Sequence, residues 1–180
     1  MALLGCRTAE IIPTVEPVDT GVRSVFVGGT SIAPKNGTLT VFQAPFSTRY
    51  ESEIAGVHTL VRSIEVRPEL RVDADESSID RMKLVRMEIE TKDSTRHIKY
   101  SWDLSGIDPD WSVPLKKEKL PDGTWSISPE RNLKRGEYVI WHPQSKEDPR
   151  EGHTVWPGPE RGRKYLQYMT GVLYPFGAGE

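Results

Sequence analysis

Residues 82–102 read MKLVRMEIETKDSTRHIKYSW. Two runs in which apolar and polar residues alternate flank a polar break, which is the pattern of a β-hairpin with one buried face. Val85, Met87 and Ile89 share that face on one strand, and Ile98, Tyr100 and Trp102 share it on the other. The register this predicts pairs Ile89 with Ile98, Met87 with Tyr100 and Val85 with Trp102, leaving Asp93-Ser94 as a two-residue loop. A one-residue slip would turn Arg86, Glu88 and Glu90 toward the core, so the pattern specifies register strongly.

Working outward, the same grammar repeats. Val25 and Val27 alternate before Gly28-Gly29, and Leu39 opens a second short strand after the break at 34–37. Residues 58–66 form a β-branched run, Pro68 interrupts it, and Leu70 and Val72 resume it. The acids and serines of 73–80 favour a turn, because their side chains compete for backbone hydrogen bonds. Asp122-Gly123 signals a second hairpin with a type I′ turn that would set Leu120 opposite Trp125. A turn built on Gly136 launches a strand through Trp141, and Pro143 ends it. Residues 142–163 are polar and rich in Pro and Gly and read as a long surface loop, and 165–176 supply the last strand or two, with a helical turn over 165–169 as the alternative. Residues 1–21 carry Pro13 and Pro17 and read as an N-terminal tether or edge segment, which leaves 22–180 as one domain.

The class that follows is all-β: an immunoglobulin-like antiparallel β-sandwich of about seven to nine strands. A chain of 180 residues is long enough for one domain with a true core and no disulfides. Its net charge of -2 offers no overall field for nucleic-acid phosphates or anionic lipid, so nucleic acid is not expected as a partner. The single cysteine, Cys6, excludes an internal disulfide.

Residues 53–141 carry a recurrent order. Ala55-Gly56 precedes Val61-Arg62, an acidic turn leads to Leu84 and Ile89, and Val113-Pro114-Leu115 follows a polar break. Asp122-Gly123, Ser128-Pro129 and Gly136-Glu137-Tyr138 complete it, and Tyr174-Pro175-Phe176-Gly177 closes the chain. This order resembles a β-sandwich domain of uncharacterised secreted or envelope proteins of bacteria, over about half of the chain. The resemblance implies an export context and a sandwich of unassigned role, and it transfers no catalytic residue. The segment 142–163 departs from it. Leu3-Leu4-Gly5-Cys6 resembles the bacterial lipobox, at which a leader is removed and the new terminal cysteine acylated; only Met1 and Ala2 precede it here, short of a basic and apolar leader. The expectation is a secreted or envelope protein that reaches a membrane, if at all, through a lipid on Cys6.

Chemistry is sparse. His142 and His153 flank Glu147, Asp148 and Glu151, a composition suited to a metal or acid-base site but at no recognised ligand spacing. His58 and His97 fall on expected strands. Asp73, Asp75, Glu76 and Asp80 have the oxygen ligands of a calcium loop without the glycine of an EF-hand. No Gly-x-Ser-x-Gly elbow and no phosphate-cradling glycine loop occurs. Asn36-Gly37-Thr38 matches a glycosylation sequon and reads as a turn in a bacterial protein. Of the five tryptophans, Trp102, Trp125 and Trp141 lie on expected strands, whereas Trp111 and Trp156 lie in loops and are the candidate ligand-binding residues. The expectations are therefore no enzyme, no catalytic residue, no metal and no cofactor. The leading function is a non-catalytic module for adhesion, assembly or scaffolding, with a protein partner or self-association. Alternatives are a carbohydrate-binding domain using Trp111 and Trp156, an extracellular polymer whose N-terminal arm adds to a neighbour's sheet, and a hydrolase built on His142 and His153.

Overall fold

The computed structural model describes residues 8–12, 20–44, 47–100, 107–144 and 171–179, with the backbone alone for 8–12 and 41–48. Among the described residues three sheets stack. The first outer sheet runs β1 (Thr8–Ile12), β5 (Thr38–Ala44), β6 (Ser47–Ala55), β11 (Thr95–Lys99) and β10 (Glu88–Glu90). The middle sheet runs β12 (Ser112–Val113), β9 (Lys83–Arg86), β15 (Gly136–His142), β16 (Val172–Ala178) and β4 (Lys35–Asn36). A further short strand, β7 (Arg62–Ser63), lies parallel to the end of β16. The second outer sheet runs β13 (Leu115–Lys119), β14 (Trp125–Pro129), β8 (Leu70–Ala74), β2 (Val22–Val27) and β3 (Thr30–Ser31). The chain is thus an all-β, antiparallel β-sandwich. The expected pair of sheets gains a third, and the strands outnumber the expected seven to nine because several are two-residue pieces.

The middle sheet is covered on both faces, and the sequence explains why. In β15 the run Tyr138-Val139-Ile140-Trp141 is apolar at every position, so successive side chains must find a core on opposite sides. Tyr138 and Ile140 join Leu84, Tyr174 and Phe176 in a core against β2, β8 and β14. Val139 and Trp141 join Val85, Leu173, Leu39 and Ile98 in a second core against β6 and β11. Each such side chain contributes roughly 1.5–3 kcal/mol when fully buried, so the doubly covered β15 and β16 are the mechanical centre of the molecule.

Pro175 sits within β16 without breaking it. Its carbonyl accepts from Thr59 Oγ1, and the Gly177 N–H two residues on donates to Val61 O on the same side. Among the described residues that edge of β16 has no ladder partner between the stretches paired to β4 and β7, so the missing proline N–H falls where no ladder bond is made.

The opening stretch is a correction. It is not one hairpin: β9 pairs with β15 in the middle sheet, the chain turns at Met87, and β10 pairs with β11 in the first outer sheet. Val85 faces Val139 and Ser112, not Trp102, which lies outside the described residues. Adjacent Leu84 and Val85 are both fully buried, and only a strand with a core on each side can do that. The β10–β11 register sets Ile89 opposite Arg96, shifted by two from the expected pairing, and closes through a four-residue turn at 91–94 with Ser94 at φ 53°. A shift of two preserves the inward face: Ile98 and Tyr100 are buried, while Ile89 is left 36% exposed at the rim.

The second hairpin is also one residue off. Lys119, not Leu120, faces Trp125. Gly123 N–H donates to Leu120 O and Leu120 N–H to Thr124 O, with Gly123 at φ 86°. A type I′ turn on Asp122-Gly123 would make Pro121 a closing residue, which lacks the N–H that position donates; Pro121 instead takes the second position of a turn from Leu120, in a three-residue loop ending in a left-handed glycine. The run at 58–66 yields only the two residues of β7, because its apolar residues follow no sustained alternation. Within the acidic stretch α1 (Glu76–Arg81) forms; Ser78 Oγ donates to Thr20 O, and Lys117 Nζ donates to the carbonyls of Ile79, Asp80 and Met82 at the helix end.

Candidate functional site

Glu137 is the second residue of β15, with a side chain only 1% exposed just ahead of the apolar run 138–141. Four donors converge on it. Oε1 accepts from Arg62 Nη1 at 2.6 Å and lies 3.4 Å from His58 Nδ1. Oε2 accepts from the Thr59 backbone N–H at 3.0 Å and from Arg96 Nη1 at 3.1 Å. These exhaust the roughly four acceptor positions of a carboxylate.

Three elements supply the donors. Arg96 projects inward from β11 and is itself buried, its Nε donating to Gly56 O at 2.8 Å and its Nη2 to Ala55 O. Burial pulls the guanidinium down from its ordinary range, and the Glu137 charge opposes that. Arg62 reaches across β16, where Gly177 leaves the room: a Cβ there would lie 2.5 Å from the guanidinium carbon. Its Nε and Nη2 donate to Gly179 O. The carboxylate therefore ties the 55–62 segment, β11 and β15 together.

Beside this cluster is an open groove of about 540 Å³ lined by His58, Thr59, Arg62, Ile89, Arg135 and Glu137. On the segment that supplies Thr59 and Arg62 to the groove, Val61 packs against the core and Ser63 is buried, while Leu60 stands 103% exposed and Ile64 77%. Val66 is 56% exposed, and its carbonyl accepts from the Leu133 N–H. Three large aliphatic side chains face water on a segment held in place from beneath.

A second cluster lies on the outward face of β6 and β11. His97 Nδ1 is 3.2 Å from Glu51 Oε2, its Nε2 is 2.8 Å from Thr95 Oγ1, and Arg49 Nε is 2.8 Å from Glu51 Oε1. Hydroxyl, imidazole and carboxylate stand in the order of a nucleophile relay. The hydrogen bond to Glu51 raises His97, burial opposes, and the charges of Glu51, Glu53 and Glu88 raise it further. The placement of the hydroxyl argues against that chemistry. Thr95 is buried between ladder partners Glu90 and Ala55, which closes its hydroxyl to a substrate.

The residues singled out from sequence are scattered. Trp111 ends a short 3₁₀ turn (Pro109–Trp111), half-buried against the second core with Lys99 Nζ 4.9 Å from its ring centre. Trp156, His153 and Cys6 lie outside the described residues. His142 is not in a surface loop: it ends β15 fully buried, Nδ1 2.6 Å from Pro143 O, and burial pulls it down to about 4. His58 lies on a bend and not on a strand. Asp73 and Asp75 are engaged by Arg23. The N-terminal arm expected to add to a neighbour's sheet contributes β1, which pairs with β5 of its own chain.

Glu137 was present in the sequence as part of Gly136-Glu137-Tyr138 but carried no flag there. The available signal was a lone acid just ahead of an apolar run, where burial demands a partner. No family model matches the chain, and no curated protein or solved structure is similar to it.

Proposed function

We propose that this chain is a non-catalytic interaction module of the bacterial cell envelope or exterior, serving adhesion, assembly or scaffolding, and that it docks through the segment bearing Leu60, Ile64 and Val66. The observation that carries the reading is the pairing of a fully engaged carboxylate with an exposed aliphatic segment. Glu137 has no acceptor position left for a substrate proton, so its role is to hold the segment. Water disfavours three exposed aliphatic side chains close together on one segment, and a partner that covers them gains their burial.

Site-specific photo-crosslinking in the source cell tests this. A photoreactive residue replacing Leu60 or Ile64 is expected to give discrete adducts, while the same residue at exposed Lys116 on β13 gives none. Equal adduct patterns from all three positions, or none from Leu60 and Ile64, reject the reading.

A further inference from the structure

We propose that the docking face takes an anionic phospholipid bilayer surface, an inference that rests on the docking reading above and names its partner. The charge of the chain is unevenly placed. The segment 131–135 runs beside 62–67, joined by the Leu133 N–H to Val66 O bond and by Arg67 Nε donating to Asn132 Oδ1 at 2.7 Å. Arg135 lines the groove with Arg62, and Arg86 lies against Gly136. Arg86 and Arg131 both act on the Tyr138 hydroxyl, whose O–H donates to Lys134 O. One end of the molecule thus gathers Arg62, Arg67, Arg86, Arg131, Lys134 and Arg135 on a chain whose net charge is -2. Arg86, Arg131, Lys134 and Arg135 have no carboxylate partner among the described residues.

Among the described residues the acids nearby do not cancel this. Glu137 is buried beneath Arg62 and Arg96; Glu65 turns into a separate groove beside Arg71; Glu88 is paired with Lys99. Glu130 adjoins Arg131 in sequence. A cationic end calls for an anionic partner. The apolar part of the same end decides which. Leu60, Ile64 and Val66 protrude and include no aromatic anchor, whereas protein interfaces concentrate their energy in Trp, Tyr and Arg seated in pockets. Aliphatic side chains ringed by arginine suit the boundary between headgroup and acyl chain, which asks for no shape complementarity.

Vesicle co-sedimentation of the whole chain tests this. With vesicles of phosphatidylcholine containing about a third phosphatidylglycerol, binding at low salt is expected to exceed that to pure phosphatidylcholine by at least roughly ten-fold, and to fall steeply toward ~0.5 M salt. Arg131→Glu/Arg135→Glu and Leu60→Ser/Ile64→Ser, all at exposed positions, should each abolish the preference, whereas Lys116→Glu should keep it. Excess glycerol phosphate should not displace the chain, because a free headgroup lacks the acyl boundary. Equal binding to both vesicle types, no binding to either, unaffected double variants, or displacement by glycerol phosphate overturns the lipid partner. Protein adducts from Leu60 in the source cell, with no vesicle binding, would retain the docking module and reject the bilayer.

Discussion

Arg96 of β11 and Glu137 of β15 form an ion pair across the space between two sheets, with side chains only 5% and 1% exposed. Such a pair is costly to assemble and costlier to break, because removing one partner strands the other charge in a low dielectric. Arg96→Met should destabilise the fold by about 3 kcal/mol, the lower end of the usual range, since Arg62 still faces the carboxylate. Arg62→Met, at a side chain 33% exposed, should cost about 1 kcal/mol. Denaturant titration checks both, and the account requires the order Arg96 above Arg62.

Gly171 tests backbone geometry directly. Its φ is 71°, and a Cβ would collide with Trp141 Nε1 and lie 2.8 Å from the His142 carbonyl oxygen. Left-handed strain and overpacking each cost about 1–3 kcal/mol, so Gly171→Ala should lower the stability by at least about 3 kcal/mol. The collision is with a buried ring and a backbone oxygen, so neither can yield cheaply. A thermal melt unchanged by this substitution contradicts the packing of Trp141.

The two described strand histidines give stability slopes of opposite sign. Burial pulls His142 to about 4, so the native state refuses a proton that the unfolded chain takes up near pH 6.5. That stability is present above about pH 6.5 and lost as the pH falls toward 4, in total about 3 kcal/mol. His97 is raised by its hydrogen bond to Glu51, so its contribution is complete below about pH 6.5 and lost as the pH rises through its elevated native value. Stability against pH, measured by urea unfolding, should lose its acid slope in His142→Leu and its alkaline slope in Glu51→Gln.

Lys117 caps a helix from another element. Its ammonium donates to three carbonyls at the end of α1, two of them at 2.7 and 3.1 Å, and burial pulls the group down. Lys117→Met keeps most of the stem and removes the donors, and should cost about 1–2 kcal/mol. Lys116→Met, exposed on the same strand, should cost almost nothing, and equal losses would remove the cap from the account.

The alternation of residues 82–102 made the all-β class legible, and the glycine and proline punctuation made many of the turns legible. What misled was the inference of one buried face. Leu84-Val85, Tyr138-Val139-Ile140-Trp141 and Val172-Leu173-Tyr174 are contiguous apolar runs, and contiguity is the sign of a strand covered on both sides. Reading only the alternating subset hid the third layer and the change of sheet at Met87. The site was hidden for a different reason. Arg62, Arg96 and Glu137 are far apart in sequence, and strand pairing alone brings them within hydrogen-bonding distance. Only the anomaly of Glu137 just ahead of an apolar run was visible in advance, and it names no partner.

The claim on which the rest depends is that Glu137 fixes the segment from Thr59 onward and so displays Leu60 and Ile64. Amide hydrogen exchange measures it most directly, because the Thr59 N–H is itself a donor to Oε2 and the Val61 N–H donates to Thr59 Oγ1. In Glu137→Gln, protection at Thr59 and Val61 should fall by roughly ten-fold or more, while Val72 and Ile127 in the far sheet keep theirs. Unchanged protection at Thr59, or a uniform loss in every sheet, would contradict the account.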